Sequence, residues 1–476
     1  MTLPAWIVAL PLLAAALMTA VPRSRLLMVG SAAILTPALV AFLARTILRD
    51  GVLQMQLGGW QTPLGIQLRA DGLSVAMLGI TAVIMGVITL YAWAYFRDHE
   101  SSRYFWVLWM FLWAALNALF LSADIFNLYV TLELLGLSAV ALVALPQKAA
   151  ALTAAMRYLL VSLSGSLSYL MGVALLYAAN GTLNIEMLAN TAQASPATSA
   201  AFAMIAGGLI MKSALLPLHF WLPPAHANAP APVSAVLSAL VVKASFYIML
   251  RLWLTLFGAL TSPSIAQILG VMAAMAVIWG SIQALLADRL KMMVAYSTVA
   301  QIGYLFLIFP LSQLAQGSQE ALQGGMYFLF SHACAKAAVF LAAGTVIYAC
   351  GHDRIDGLAG IVRQMPVSMF AFALAGTSLI GLPPSGGFIA KWLYLNAALR
   401  NGQWWWCALL LGGGLLATAY IFRFFSIAFS NREEIVSARP VPKMMEWPAL
   451  GLAVCAISLG LVAPAVKKLL GVGGLF

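Results

Sequence analysis

An ammonium near the middle of a bilayer costs about 2.5 to 3.5 kcal/mol on insertion scales. This sequence nevertheless places Lys212, Lys243, Lys336 and Lys391 inside long apolar runs. Glu133 is the one carboxylate that falls well inside such a run, and His332 lies four residues before Lys336. Side chains of this kind at this depth carry the chemistry of ion movement. A carboxylate and an ammonium lower each other's desolvation cost, and a proton or cation arriving beside one changes the proton affinity of the other. Glu133 and Lys212 are therefore expected as a pair, with a static tie between two helices as the plainer alternative. Lysine suits proton relay because its surroundings tune its proton affinity, whereas arginine stays charged. Lys243, about a dozen residues from either end of its run, is too deep to snorkel to the surface. His332 and Lys336, at spacing i, i+4, share one helical face and read as two steps of a proton wire. A hydrogen-bonded core histidine is the competing reading.

Two of these lysines adjoin breaks in the apolar pattern. In MKSALLPLHFWLPPAHANAPAPVSAVLSALVVK, Pro217, Pro223, Pro224, Pro230 and Pro232 remove backbone donors between Lys212 and Lys243. Carbonyls freed inside a membrane are tolerated only where protein or a water-filled cavity satisfies them, so this break predicts a wetted path. His219 and His226 lie in it and are candidates for a gate or proton entrance. With no carboxylate or thiol near them in sequence, a metal site is not expected. In GTSLIGLPPSGGFIAKWLYL the theme returns: Pro383 and Pro384 are flanked by Gly381, Gly386 and Gly387, and Lys391 follows. Between the two breaks, VAYSTVAQIGYLF offers Tyr296, Ser297, Thr298, Gln301 and Tyr304. These polar atoms suit either waters held between charged sites or helix-helix contacts.

The elements that must position these groups are membrane spans. The 476 residues are 63% hydrophobic and 8% charged, with a mean hydropathy of +0.96, whereas a soluble domain carries roughly 25% charged residues. Runs long enough for a hydrocarbon core of about 30 Å fall near residues 3–21, 26–47, 72–96, 104–122, 124–145, 151–179, 199–218, 229–257, 264–287, 291–311, 321–350, 366–397, 404–429 and 446–466. The expectation is thus an all-α polytopic membrane protein of about fourteen transmembrane helices. If 104–257 and 264–429 are five-helix repeats of opposite orientation, the broken helix is the fourth of each, as in inverted-repeat transporters. That divides the chain into an N-terminal three-helix region (1–103), two half-channels (104–257 and 264–429) and a C-terminal helix (430–476). The segment 52–72 reads as an outer hairpin or ordered loop, and 181–199 as a polar outer loop with room for a short surface helix.

Basic residues choose the orientation. With the N-terminus outside, the cytoplasmic turns hold Arg23, Arg25, Arg97, Arg103, Lys148, Arg157, Arg289, Lys291, Arg354, Arg363, Arg423, Arg432, Arg439 and Lys443; the outer ends hold Arg45, Arg49, Arg69, Arg251, Arg400, Lys467 and Lys468. This majority favours both termini on the outer side. The net charge of +11 is spread singly over helix ends and so reflects topology rather than nucleic-acid binding. The first apolar run lacks a basic leader and reads as a retained span rather than a cleaved signal. Cys334, Cys350, Cys407 and Cys455 have no paired spacing, and no phosphate-cradling or dinucleotide glycine motif is present. No cofactor and no metal are expected.

The stretches DIFNLYVTLELLGLSAVAL, MKSALLPLHFWLPPAHANAPAPVSAVLSALVVKASFYIMLR, LKMMVAYSTVAQIGY, SHACAKAAVFLAAG and GLPPSGGFIAKW cover residues 120–395 nearly continuously. As a set they resemble the antiporter-like membrane subunits shared by respiratory complex I, membrane-bound hydrogenases and multisubunit Mrp-type cation/proton antiporters. LGGWQTPLGIQLRADGLS looks most like the D-like member of the Mrp type. The resemblance implies a fourteen-helix fold with the inverted repeat. It also implies a charged pair at Glu133 and Lys212, a link to the centre at Lys243, a continuing axis at His332 and Lys336, and a terminal lysine at Lys391. Lysine rather than glutamate at that last place fits the D-like, N-like and L-like types. The absence of a long lateral helix before Phe476 disfavours the L-like one.

The function expected is that of a proton-translocating subunit of a multisubunit Mrp-type antiporter in the cell's inner (plasma) membrane, working with other membrane subunits, protons and sodium or potassium. His219, His226, Ser297, Thr298 and Tyr304 would serve as gate or water-wire residues. The alternatives are a pumping subunit of a redox complex, which would make it part of a translocase without its own redox site, an energy-coupling subunit for uptake of another substrate such as inorganic carbon, and a non-conducting scaffold.

Overall fold

The computed structural model describes residues 2–97, 101–314, 316–430, 439–461 and 463–474. Arg432, counted above among the cytoplasmic residues, lies outside them. Among the described residues, eleven helices are long and apolar enough to cross a membrane, and the protein is an all-α polytopic bundle. Leu3–Ala20 (α1) and Arg25–Asp50 (α2) lead into an antiparallel hairpin of Leu53–Gln56 (β1) and Gln67–Ala70 (β2), with Leu53 opposite Ala70. Gly72–Tyr95 (α3), Ser102–Leu121 (α4), Ile125–Ala144 (α5) and Ala149–Asn180 (α6) follow. The expected loop at 181–199 contains the short helix Ile185–Thr191 (α7), tied to the hairpin through Asn184 Nδ2 to Gln67 Oε1 (2.6 Å) and Arg69 Nη1 to Glu186 Oε2 (2.9 Å).

The first break comes next. Pro196–Lys212 (α8) starts on Ser195, whose hydroxyl accepts from Thr198 N, and stops at Lys212, short of the 218 expected from sequence. Leu215 N reaches back to Ile210 O (3.2 Å) and Trp221 Nε1 caps Met211 O (3.1 Å), so protein groups take up carbonyls that the stop frees. The chain resumes as Leu222–Asn228 (α9) and then as Ala231–Leu260 (α10), which contains π-helical turns at Leu237–Val241 and Trp253–Phe257.

Pro263–Leu286 (α11), Leu290–Ser312 (α12) and Ser318–Cys350 (α13) are continuous spans. The run expected at 366–397 is instead two helices, Pro366–Ile380 (α14) and Gly386–Arg400 (α15), because Pro383 and Pro384 cannot donate to a continuing ladder. Ser385 caps the second piece by accepting from Phe388 N (3.1 Å). Trp404–Ala428 (α16) follows, and the single C-terminal helix expected at 446–466 is likewise two, Lys443–Ser458 (α17) and Ala463–Leu470 (α18). Pro464 suits a helix start better than a helix interior.

Burial separates core from periphery. The most apolar window of α10 is 100% buried and those of α12 and α13 are 89% and 83% buried, against 33% for α1 and 28% for α2. Polar and ionisable side chains in membrane spans face the bundle interior, and these three central helices carry Lys243, Lys336 and the polar stripe of 296–304.

Candidate ion-translocation axis

At the first break the expected pair forms. Lys212 Nζ donates to Glu133 Oε1 at 3.1 Å and to Ser162 Oγ at 3.0 Å. Lys212 is buried, while Glu133 keeps 19% of its side chain exposed, so the pair is open on the carboxylate side. Helix packing makes the room: a Cβ on Gly136 would stand 2.8 Å from Ser162 Oγ and 3.6 Å from Lys212 Nζ. Sequence reasoning missed Ser162, one of several serines on a long apolar helix with no spacing to mark it. A small cavity of about 10 Å³, lined by Lys212, Ser162, Tyr158, Val241 and Ser245, lies between this pair and α10. That is about the least space that holds one water.

Lys243 is fully buried on α10. Its Nζ donates to Ser238 O at 2.7 Å, within the preceding π turn. Such turns leave carbonyls available and recur at functional sites. Ser238 Oγ lies 2.9 Å from Thr298 Oγ1, and Thr298 Oγ1 donates to Val294 O at 3.2 Å. Lys336, also fully buried, donates to that same Val294 carbonyl at 2.6 Å and to Ser297 Oγ at 2.8 Å. Residue by residue, hydrogen bonds therefore connect Lys243 through Ser238, Thr298 and Val294 to Lys336, reaching Ser238 at its carbonyl and leaving from its hydroxyl.

The same stripe of α12 reaches the second break. Gln301 Nε2 donates to Leu379 O at 3.3 Å, and Lys391 Nζ donates to Ile380 O at 2.7 Å and Leu379 O at 3.4 Å. These are the last carbonyls of α14, orphaned where the helix stops. Lys391 Nζ also stands 4.7 Å from the centroid of the Tyr304 ring, a cation–π contact. Thus Val294, Ser297, Thr298, Gln301 and Tyr304, on one face of one helix, touch the surroundings of three buried lysines.

The histidines are placed differently from one another. His332 is buried without a contact to Lys336 closer than Coulombic range, and neither ring nitrogen has a partner among the described residues; its ring stacks on Phe328 (5.8 Å). The wire expected from i, i+4 spacing is therefore not a direct hydrogen bond. His226 is buried and stacks on Phe340 at 4.9 Å, and Lys336 Nζ stands 5.2 Å from the centroid of that same ring. His219 sits half-buried in the first break, its carbonyl accepting from Leu222 N, with no hydrogen bond to any axis lysine among the described residues.

Two residues counted by sequence as topological signals are buried. Lys291, read as part of a cytoplasmic turn, lies in the first turn of α12, 6% exposed, and donates to Ala229 O. Arg251, read as an outer-end residue, is 4% exposed and clamps Asp71 with Nη1 to Oδ2 and Nη2 to Oδ1, both at 2.8 Å. Tyr247 OH accepts from Arg251 Nε (2.9 Å) and donates to Phe120 O (2.8 Å). Position near the end of an apolar run does not distinguish a solvated charge from one folded inward. Burial alone would raise the Asp71 carboxyl, but the Arg251 guanidinium, with help from Ser74, holds it well below the usual carboxylate range. Among the described residues, no group of three or more His, Cys, Asp or Glu is placed to hold a metal ion.

Comparison with known proteins follows the same lines. The family model described as NADH:quinone oxidoreductase/Mrp antiporter, TM, matches residues 122–417. The N-type polypeptide of the NADH-quinone oxidoreductase of Desulforudis audaxviator (strain MP104C) is 36% identical over 482 residues, covering 97% of this chain and 95% of the relative. The D-type polypeptide of the Na(+)/H(+) antiporter of Bacillus subtilis (strain 168) is 28% identical over 451 residues, covering 93% and 89%. In the structure of the Mrp complex from Dietzia sp. DQ12-45-1b, one chain superposes with a TM-score of 0.91 at 24% identity, covering 99% of this chain and 97% of that one, which is a likeness of fold. The chain belongs to the NADH:quinone oxidoreductase/Mrp antiporter transmembrane family.

Proposed function

We propose that the chain is a proton-translocating subunit of a multisubunit Mrp-type monovalent cation/proton antiporter, moving protons along Glu133, Lys212, Lys243, Lys336 and Lys391. The observation that carries this is the polar stripe of α12, which links Lys243, Lys336 and the Lys391 region inside an otherwise apolar core. Buried ammonium groups without a structural counter-ion are costly, and three of them beside one polar stripe of α12 suit passage of charge better than a tie between helices. His332 and His226 lie beside this axis, Ser297, Thr298 and Tyr304 line it, and His219 stands at the first break as a gate. The name and coverage of the Bacillus subtilis antiporter polypeptide support the antiport reading. The partners are other membrane subunits, the lipid bilayer, protons, and sodium or potassium.

The architecture proposed with it has fourteen crossings of the inner membrane and both termini on the outer side. Counting each broken helix once, Ser102–Leu260 supplies five crossings with the fourth broken, and Pro263–Ala428 five more with the fourth broken, which supports two inverted half-channels at 104–257 and 264–429. Residues 1–103 and 430–476 flank them. A second reading is favoured by the 36% identity to an NADH-quinone oxidoreductase polypeptide: the same axis driven by a redox partner, with this chain a translocase subunit.

The test is cation-dependent proton movement in vesicles carrying the full complex, comparing wild type with Glu133→Ala and Lys212→Ala at matched assembly. Loss of transport with intact assembly is expected. Unchanged transport would leave this chain a scaffold and move the path to another subunit. Proton movement that needs an electron donor rather than a cation gradient would select the redox reading.

A further inference from the structure

The axis needs an entrance, and one end of the bundle supplies a built approach to it. A cavity of about 780 Å³ opens there, lined in part by Ser101, Lys148, Arg289, Asn228 and Ala229. Its basic members belong to the turns that the distribution of arginine and lysine assigns to the cytoplasm. The floor of this cavity includes Ala229, whose carbonyl ends α9 and precedes Pro230, so no continuing helix takes it up. That carbonyl is the acceptor for Lys291 Nζ, which no other protein acceptor holds among the described residues. Lys291 lies in Coulombic range of Arg289 and Asp353, which pair with each other at 2.9 Å at the surface. On its inner side, His226 lies in Coulombic range of Lys291, Lys336 and Lys243. The Nδ1 of His226 has no partner among the described residues, and its ring shares Phe340 with Lys336.

We infer that Lys291 is the proton-entry residue, passing protons from this cavity to His226 and so to Lys336 and Lys243. The inference rests on the proposed function. In the step, an N–H bond of the Lys291 ammonium breaks as a proton moves toward Nδ1 of His226, and the amine left behind takes a proton from the cavity. If Lys291 only tethered the Ala229 carbonyl, any cationic donor of similar length would serve. An entry residue must also release its proton, which arginine does not do.

The experiment measures initial proton uptake in vesicles carrying the full complex, at matched assembly, for wild type, Lys291→Arg, Lys291→Gln and Lys243→Ala. Loss of a positioned proton donor typically costs on the order of 10²-fold or more, so both Lys291 variants are expected to fall at least about tenfold. A Lys291→Arg rate equal to wild type, with transport lost in Lys243→Ala, would overturn the inference and leave Lys291 a tether. A Lys243→Ala rate equal to wild type would overturn the axis itself and the entrance with it. Should the Lys291 variants fail to assemble, Ser101→Trp narrows the same cavity at a residue whose side chain makes no capping hydrogen bond. Slowed uptake then supports the entrance, and an unchanged rate overturns it.

Discussion

The two broken helices hold their lysines in opposite ways. At the first, Lys212 ends the helix before the break and turns its ammonium to a carboxylate, Glu133, and a hydroxyl, Ser162. At the second, Lys391 sits on the helix after the break and turns back onto two orphaned carbonyls and the face of Tyr304, with no carboxylate within 4 Å among the described residues. One site balances charge with charge. The other balances it with dipoles, which stabilise a cation without fixing it there, since a neutral amine can donate to the same carbonyls. Losing the ammonium proton at the first site leaves a carboxylate without its counter-charge, whereas at the second it leaves only neutral groups. The first lysine is thus held by an opposite charge and the second by dipoles and a ring face.

Stability separates the two most sharply. Lys212→Gln leaves Glu133 without its counter-charge and is expected to cost about 3 kcal/mol, the low end for a broken buried pair because Glu133 is partly exposed. Lys391→Gln keeps a donor for Ile380 O and is expected to cost about 1 kcal/mol. Thermal midpoints of the detergent-solubilised complex compare them, and equal losses would erase the distinction. A double-mutant cycle sharpens it: Glu133→Gln should recover at least about 1 kcal/mol of the Lys212→Gln loss, and should be additive with Lys391→Gln to within about 0.5 kcal/mol.

A smaller contrast lies in the glycines beside each lysine. Gly381 has φ +91° and a Cβ there would stand 2.7 Å from Lys391 Cδ, so Gly381→Ala is expected to cost about 1 to 2 kcal/mol in backbone strain alone. Gly136 is helical and its nearest neighbour is a hydroxyl that can rotate, so Gly136→Ala should cost less. The same thermal measurement ranks them.

The clamp outside the axis separates from both lysine sites by its dependence on pH. Because Arg251 lowers the folded-state pKa of Asp71, its stabilisation is fully present above the unfolded carboxylate value of about 3.9 and is lost as pH falls through the folded value. Asp71→Asn should therefore flatten the acid limb of the stability profile relative to wild type. An identical acid slope in the variant would exclude the clamp as its source.

The sequence made the axis lysines legible for a simple reason: in a chain with 8% charged residues, an ammonium deep in an apolar run has few structural explanations. The breaks were legible from their prolines. What was not legible was depth near helix ends. Lys291 and Arg251 look like the other terminal cations in sequence, and only the packing of α9 and α3 against them turns both inward. Ser162 was invisible because a serine on an apolar helix meets a lysine or lipid according to helix rotation, which a single sequence does not fix. The polar stripe of α12 was visible as a set, but its contact with three lysines depends on α12 lying between α10, α13 and α14.

Lys243 is linked to Lys336 by four protein hydrogen bonds through Ser238, Thr298 and Val294, and its own helix lines the cavity beside Lys212. The most direct measurement is proton movement by the full complex carrying Lys243→Ala, with Glu133, Lys212 and Lys391 intact and assembly matched to wild type. The account predicts that transport is lost while the complex remains whole. Transport at the wild-type rate would contradict it.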